Sequence, residues 1–350
     1  MMMMMRGMMT MTGGRYAGIG GFGGRKSVLG RVPAAGLASV RKTQRLRQPS
    51  AAIMGLDVLD DRHVGVGSGT REMAQNDAKL TVAQETMVSL NEIGLTRGER
   101  STEQIFWSSV LGGAFISWGA SMYLTLAGGS ALALAGVPGI HKVCTAMIFP
   151  IGLSAIVVTG TDMLTSNMMY STLPLVSQDS RRTTEQKLVS LTHLWSVSLV
   201  GNLVGCVGMA ALTSHILGGV PEVVDFVQAM AVKKTSATAT ATFAKAVGCN
   251  WLVNLAIFQA STATTTPGKM AMLWLPVTTF VALGLEHFVA NMYLLPLGAM
   301  LGADVSTSQI VINNLVPVFA GNVVGASFFV SFLQWKAVMT GVKQPFTKTF

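Results

Sequence analysis

The sequence predicts an all-α membrane protein with six transmembrane helices, arranged as two inverted three-helix repeats. Three observations predict this fold class: few charged residues, six long apolar stretches, and two short motifs that recur at nearly one spacing. Charged residues make up 12% of the 350-residue chain and hydrophobic residues 50%, whereas an average soluble domain has about 25% charged residues. The composition is therefore that of a membrane protein.

The first segment, residues 1–54, is a basic tail that carries the whole net charge. Residues 1–50 hold nine Lys and Arg and no Asp or Glu, and the complete chain has a net charge of +9. Because the charge is confined to the tail, it does not predict nucleic-acid binding. The tail lacks the continuous apolar run of a secretory signal, so an organellar transit peptide is the favoured interpretation and a disordered basic arm is the alternative.

Residues 55–103 form a mixed-charge segment, in which we expect a short amphipathic helix near Gln75–Glu92. Six apolar stretches follow, each long enough to cross the roughly 30 Å hydrocarbon core of a bilayer. They lie near 104–128, 140–176, 187–219, 241–262, 269–299 and 309–338, so the membrane domain spans 104–338 and a C-terminal tail covers 339–350. An even number of crossings places both termini on one side, and a moderate excess of Lys and Arg in that side's loops agrees.

An internal repeat relates the two halves of the membrane domain. Gly201–Gly205 (GNLVG) returns as Gly321–Gly325 (GNVVG) 120 residues later, and Asp162–Met168 returns as Glu286–Met292 124 residues later. Since each half has three crossings, the second half enters the membrane from the opposite side, which makes the repeats inverted. The Gly-x-x-x-Gly pairs themselves are typical of close helix packing.

The second and fifth stretches carry helix breakers and charge at mid-depth. Gly160 and Asp162 interrupt the second stretch, and Gly284 and Glu286 interrupt the fifth. Non-helical backbone at membrane depth has to be buried in protein or line an aqueous cavity, because an unpaired amide in lipid costs several kcal/mol. We therefore predict two broken helices around a central site, with the Asp162 carboxylate accepting hydrogen bonds from the amides of its own loop.

Glu286 and His287 are the strongest candidates for function, since ionisable residues inside a spanning segment usually face a pathway or a partner. Histidine exchanges a proton near neutral pH, so His287 is suited to pass a proton to an anion. The alternatives are that Glu286 caps the amides of the break and that His287 is a core histidine whose hydrogen bonds are all made.

Other polar residues on the apolar stretches allow two interpretations each. Thr165 offers a hydroxyl to a solute or bonds back to its own helix. Lys234 and Lys245, at the entrance of the fourth stretch, attract anions or extend to water at the interface, and we favour the second interpretation for Lys245. Asn250 and Asn314 contact a solute or form hydrogen bonds between helices.

The sequence shows no pattern for catalysis or cofactor binding. The cysteines Cys144, Cys206 and Cys249 are odd in number and each lies in an apolar run, so neither a disulfide framework nor a zinc site is expected. A Gly-x-x-x-x-Gly-Lys-Ser/Thr nucleotide loop and a Gly-x-Ser-x-Gly nucleophile turn are both missing from the sequence. We therefore predict no enzyme, no catalytic residues, no metal and no cofactor.

Several motifs together resemble those of the formate/nitrite transporter family, from about Gly94 to Trp335. They are Leu111–Ser117 (LGGAFIS), Gly160–Asn167 (GTDMLTSN), Cys249–Val253 (CNWLV), Gly284–Met292 (GLEHFVANM), Asn314–Val318 (NLVPV) and Gly321–Asn322. The resemblance implies an aquaporin-like protomer of six helices and a homopentamer with one pore in each subunit. It also implies transport of small monovalent anions such as formate, nitrite, bicarbonate or hydrosulfide.

The resemblance implies roles for individual residues as well. His287 is the central histidine of the pore, and Glu286 is its neighbouring acid. Lys234 is the lysine of a vestibule, and Thr165 is the threonine of the broken second helix. Two hydrophobic constrictions are implied, one formed by Phe149 and Phe280 and the other by Leu153, Met163 and Leu164. The family usually has Leu-Phe-Thr where this chain has Met-Leu-Thr at 163–165, so a less aromatic inner constriction is expected.

The basic tail and these motifs together resemble the algal members of the family in the plastid envelope, which implies a chloroplast inner-envelope protein in contact with membrane lipids. On this basis we expect transport of nitrite, either coupled to protons or following the gradient of the anion, with His287 protonating or polarising the anion. Bicarbonate and formate are alternatives within the family. A neutral-solute channel of aquaporin type is the alternative of another class, and the vestibule lysine and the lack of paired Asn-Pro-Ala loops disfavour it.

Overall fold

A computed structural model describes residues 80–129 and 136–342 of the chain. The basic tail 1–54, the beginning of the predicted amphipathic segment and the end of the C-terminal tail lie outside the described residues. Within the described ranges every regular element is a helix. The prediction of an all-helical protein with several apolar helices is therefore confirmed.

The helices follow one another along the chain with short connections. The first is α1 (Val82–Gly98). Then come α2 (Thr102–Gly129), α3 (Pro138–Ala146), α4 (Pro150–Thr159), α5 (Leu164–Val176) and α6 (Thr184–Leu217). The second half contains α7 (Pro221–Thr235), α8 (Ala239–Thr262), α9 (Thr266–Ala282), α10 (Phe288–Met300) and α11 (Gln309–Met339), the last with π-helical turns over Gln309–Leu315 and Gly325–Gln334.

Five helical segments in the described part are long and apolar enough to cross a membrane, namely α2, α3 with α4, α6, α8 and α11. The fifth predicted stretch, 269–299, is present as two shorter helices, α9 and α10. The sequence prediction missed α7, which buries Val223, Val227 and Ala231 at a spacing of four residues. At 15 residues with four charged side chains, it is not an apolar stretch of membrane-crossing length.

The interruptions in the second and fifth stretches each contain a glycine with left-handed backbone. Gly160 has a φ of 71° at the end of α4, and Gly284 has a φ of 66° just after α9. This conformation strains any residue that carries a Cβ atom. The glycine therefore lets one helix end, and the next begins four residues later in both halves, at Leu164 and at Phe288.

The repeated glycine pairs bring helices into backbone contact. A methyl group on Gly205 of α6 would lie 2.1 Å from a carbonyl oxygen of α2, and one on Gly325 of α11 would lie 2.4 Å from a carbonyl oxygen of α8. Methyl groups on Gly201 and Gly321 would lie 2.6 Å and 2.5 Å from atoms of the same two helices. Since no larger side chain fits, these pairs pack helices together as their spacing predicts.

Candidate functional site

Asn322 holds the break between α9 and α10 together. Its amide nitrogen donates hydrogen bonds to the carbonyl oxygens of Ala246 (2.8 Å) and Glu286 (3.0 Å). Its amide oxygen accepts a hydrogen bond from the backbone N–H of Phe288 (2.9 Å). Asn322 is fully buried, so its bonds to Glu286 and Phe288 satisfy backbone groups of the break that have no access to water, and its bond to Ala246 ties the break to α8.

Asn202 does the same for the break between α4 and α5. Its amide nitrogen donates to the carbonyl oxygens of Ser109 (2.6 Å) and Asp162 (3.0 Å), and its amide oxygen accepts from the backbone N–H of Leu164 (2.8 Å). The asparagine of the repeated Gly-Asn motif therefore makes equivalent hydrogen bonds in both halves. The internal repeat found in the sequence is thus also a repeat of hydrogen bonding.

Glu286 accepts its hydrogen bonds from side chains and not from the backbone of the break. Its Oε2 atom lies 2.8 Å from Nζ of Lys234, 2.7 Å from the amide nitrogen of Asn291 and 3.4 Å from that of Asn314. The Lys234 side chain is 13% exposed and that of Glu286 is 7% exposed. Glu286 is therefore a buried, paired carboxylate, and the alternative that it caps amides of the break is wrong.

Asp162 is also paired with cations. Its two carboxylate oxygens lie 2.5 Å from Arg97 and 2.6 Å from Arg100, and the amide nitrogen of Asn167 donates to it at 3.3 Å. Arg97 also donates to the amide oxygen of Asn167 at 2.8 Å and stacks over the ring of Tyr170. The expectation that Asp162 accepts bonds from the amides of its own loop is therefore wrong, because two guanidinium groups occupy its carboxylate.

The two arginines were missed by sequence reasoning, although a weak signal was present. Arg97 follows Gly94 by three residues on α1, and Lys234 follows Ala231 by three residues on α7. Gly94 lies against a backbone carbonyl of α5, and Ala231 lies against Gly298 of α10. Each of these two helices therefore packs a small residue on the helix after a break and supplies a cation to the acid of that break.

His287 directly precedes α10 and caps its N-terminus with its side chain. Its Nδ1 atom accepts a hydrogen bond from the backbone N–H of Ala290 at 3.0 Å. A neutral ring that accepts at Nδ1 carries its hydrogen on Nε2, and Nε2 lies 3.0 Å from the hydroxyl of Thr165. The ring is 2% exposed and stacks on Phe280 with a centroid distance of 5.9 Å. The core-histidine alternative is therefore correct about its hydrogen bonds, yet the ring also borders the cavity described below.

Thr165 joins the two halves at this point. Its hydroxyl contacts His287 and, in the described part of the chain, makes no bond back to its own helix. Its carbonyl oxygen accepts hydrogen bonds from the amide nitrogens of Asn250 (3.1 Å) and Asn254 (3.2 Å). Asn250 and Asn314 thus hydrogen-bond between helices, Asn314 donating to the carbonyl oxygen of Lys234 at 3.1 Å. Their contact with a solute stays a prediction.

A cavity of about 530 Å³ opens beside the second break. Lys234, Glu286 and His287 all line it, together with Phe149 and Phe280. The two phenylalanine rings meet edge to face with centroids 5.7 Å apart, and both residues are buried. The structure therefore places a cation, an apolar ring pair and a histidine along one concave surface.

The second implied constriction is not part of this cavity. Leu153, Met163 and Leu164 are buried in the main hydrophobic core and do not line the cavity. Met163 stands where the second half has His287, as the sequence repeat indicates. These three residues could close a pathway only beyond His287, and this role stays a prediction.

The cavity is more basic than the sequence suggested. Lys142 of α3, Lys233 of α7 and Lys245 of α8 line it in addition to Lys234. Lys245 is half-buried in this wall. Among the described residues of the lining, Glu286 is the one acid, so the described wall has a strong positive excess, which favours anions.

Comparisons with known proteins agree with the motifs. The model of a family described as "Formate/nitrite transporter" matches residues 84–336. A "Probable formate transporter" of Methanothermobacter thermautotrophicus is 38% identical over 247 residues, which cover 65% of this chain and 86% of that protein. The "Formate channel BtFdhC" of Bacillus thuringiensis is 31% identical over 247 residues, with 69% and 89% covered.

Solved structures resemble the chain as well. A "Pentameric formate channel with formate bound" matches with a TM-score of 0.58 and 27% identity, covering 67% of this chain and 97% of that one. An "FNT family ion channel" matches with a TM-score of 0.62 and 28% identity, covering 72% and 98%. Sequence and fold therefore agree over about the same part of the chain.

Proposed function

The chain belongs to the formate/nitrite transporter family, and on this premise we propose that it carries a small monovalent anion, nitrite, across a membrane. One observation carries the proposal. Lys234, the Phe149–Phe280 ring pair and His287 line one cavity, so an anion drawn in by positive charge meets an apolar constriction and then a hydrogen-bonding ring.

The proposed assembly is a homopentamer of six-span protomers with a pathway in each subunit. The crossings are α2, α3–α5, α6, α8, α9–α10 and α11, with the halves inverted relative to each other. The similarity to a pentameric formate channel supports the oligomer. The proposed location in the chloroplast inner envelope depends on the composition of the basic tail.

The first step of the proposed mechanism is capture of the anion. Lys234 is bound to Glu286, so this pair is close to neutral as a unit, and the remaining lysines of the cavity supply the attraction. The anion then reaches the ring pair, where water is scarce. Moving a full charge through an apolar constriction costs several kcal/mol, and a weak acid in its neutral form avoids this cost.

The hydrogen bonds of His287 constrain how the proton arrives. With Nδ1 occupied by the Ala290 N–H, the neutral ring presents one N–H, at Nε2, toward Thr165. Full proton transfer from this ring would first require an imidazolium, which would lose the cap of α10. The geometry therefore favours a neutral ring that exchanges its contact with Thr165 for the anion and polarises it through Nε2–H, while the proton comes from water in the cavity.

Formate is the second candidate substrate. Two relatives and a structural neighbour are named as formate transporters or channels, whereas nitrite is favoured by the resemblance to plastid-envelope members. Bicarbonate is the third candidate substrate, and neither the cavity nor the relatives named above favour it over nitrite or formate.

Competitive flux into proteoliposomes tests the proposal. We expect nitrite to enter faster than formate and bicarbonate, and we expect the rate to rise as the pH falls because more of the weak acid is neutral. Lys234→Gln should slow flux at low anion concentration because it leaves the Glu286 carboxylate unneutralised in the cavity, with Lys336→Gln as the matched control outside the cavity. Water or glycerol flux without anion flux would identify a neutral-solute channel instead.

A further inference from the structure

The cavity beside the second break is far larger than a small inorganic anion requires. Its volume of about 530 Å³ falls in the range of small-molecule binding sites, roughly 300–1,000 Å³. A triatomic anion needs no more than about two water volumes, ~60 Å³. Most of the cavity is therefore free when a transported anion is present.

The cavity also has more positive charge than one monovalent anion neutralises. Lys142, Lys233 and Lys245 come from three different helices and line the same cavity. In the described part of the chain, none of their three side chains forms an ion pair or a hydrogen bond, whereas Lys234 is paired with Glu286. Two or more unneutralised lysines would remain around a bound monovalent ion.

A fourth group in the lining lacks a partner. The Nε2 atom of His141, on α3 next to Lys142, is buried and has no hydrogen-bond partner in the described structure. An unpaired buried polar nitrogen costs free energy unless a ligand or water contacts it. This atom is a hydrogen-bonding position for an acidic oxygen beside the lysines.

The remaining lining is aromatic and aliphatic. Tyr123 and Phe226 meet edge to face with centroids 6.2 Å apart, and both line the cavity with Met230 and the Phe149–Phe280 pair. Aromatic rings favour stacked or edge-to-face contacts with another flat ring. The surface therefore offers one region for an apolar body and another for negative charge.

We propose that this cavity binds a flat aromatic anion with two acidic groups, which occupies the vestibule without passing the ring pair. The aromatic body lies against Phe226 and its neighbours, and the acidic groups lie between Lys142, Lys233 and Lys245. Bound in this way, the ligand blocks the pathway from one side. The proposal concerns binding and goes beyond transport of the small anion.

Binding is measured by calorimetry on the purified full-length protein in detergent, with naphthalene-1,5-disulfonate as the probe. We expect it to bind more tightly than naphthalene-1-sulfonate, which has the same aromatic rings and one negative charge. We also expect it to bind more tightly than sulfate, which has two negative charges and no aromatic ring. Disulfonate binding no tighter than sulfate binding would overturn the proposal. Because no flux is measured, this result is independent of whether the protein carries nitrite.

Variants locate the site. Lys142→Gln, Lys233→Gln and Lys245→Gln should each weaken disulfonate binding by roughly 2- to 5-fold, the effect of losing one exposed ion pair, and Lys336→Gln should leave it unchanged. Phe226→Ala should weaken both naphthalene probes and His141→Phe should weaken the disulfonate, each with the melting temperature as a folding check. Equal affinities for the cavity variants and Lys336→Gln would show binding elsewhere and contradict the proposal.

Discussion

The break between α4 and α5 and the break between α9 and α10 have the same backbone scaffold and different side-chain chemistry. In both, a left-handed glycine ends one helix and a buried asparagine from a distant helix binds the displaced backbone. In the first break the residue before the new helix is Met163, and in the second it is His287. The two halves therefore share the support of the break, and the second half places a titratable ring where the first has a methionine.

The acids of the two breaks differ in their partners and in their surroundings. Asp162 is fully buried between two guanidinium groups, whereas Glu286 has one lysine partner and borders a cavity. An acid held by two arginines is suited to fix structure, while Glu286 and its single lysine partner both line a cavity. The first break is thus a structural anchor, and the second combines anchoring with access.

The largest effect is expected from removing the acid of the first break. Asp162→Asn leaves Arg97 and Arg100 without their buried carboxylate, which should cost about 3–5 kcal/mol of stability. Glu286→Gln strands one partly exposed lysine and should cost less. Thermal unfolding of both variants in detergent measures the difference, and equal losses would contradict the assignment of different roles.

The shared scaffold predicts equal losses in the two halves. Asn202→Leu and Asn322→Leu each leave one carbonyl oxygen and one N–H of a break without this partner, so each should cost about 3 kcal/mol. Asn313→Leu is the control, since Asn313 is exposed. Stability losses that differ strongly between the first two variants would break the equivalence of the scaffolds.

Replacing either of the two left-handed glycines should cost less stability than the asparagine substitutions, and the two losses should be equal. Gly160→Ala and Gly284→Ala should each cost about 1 kcal/mol, because the cost is backbone strain alone and no atom lies within 4 Å of the added methyl group. Gly205→Ala, whose methyl group would meet a carbonyl oxygen, should be far more damaging. Melting temperatures of the three variants in detergent give the comparison, and losses of similar size would show that steric clash is not what distinguishes them.

The smallest effect concerns a loop that differs between the halves. Burial by itself raises the pKa of Asp179, but hydrogen bonds from Arg181 and Asn91 bring that pKa below its usual value. The equivalent position in the second half, 124 residues later, is Ala303. Since the pKa of Asp179 is lower in the folded protein, its contribution to stability is present above the unfolded pKa, about 4, and is lost as the pH falls through the folded value.

Melting curves between neutral pH and pH 3 test this contribution. The unmodified protein should lose more stability on acidification than Asp179→Asn, which has no carboxylate to protonate. Parallel acid sensitivity in the two proteins would show that Asp179 contributes nothing in this range.

The helices and their interruptions could be predicted because they depend on local sequence. Apolar stretches of sufficient length lie within a few residues of the helices, and the combination of glycine with an acid at mid-depth marks both interruptions. α7 was missed because it has 15 residues and four charged side chains, so it is too short and too charged to be found as a membrane-crossing stretch. The family could be predicted from motifs that together span most of the membrane domain.

The hydrogen bonds of the site depend on contacts distant in the chain. Arg97 reaches Asp162 across 65 residues and Thr165 reaches His287 across 122, and no local pattern announces either contact. The hydrogen bond from the Ala290 N–H to Nδ1 of His287 is local, but it was missed because a sequence does not show which ring nitrogen faces the backbone. Side-chain direction, more than helix position, limited the prediction.

The central claim is that His287 gives the second break a function that the first break lacks. His287→Asn tests it most directly, because asparagine caps a helix well and forms hydrogen bonds but does not titrate. We predict that the folded variant carries nitrite at least about 10-fold more slowly than the unmodified protein because it lacks the ring N–H that polarises the anion, while Met163→Leu keeps the unmodified rate. A folded His287→Asn protein with unchanged nitrite flux across pH would contradict the account.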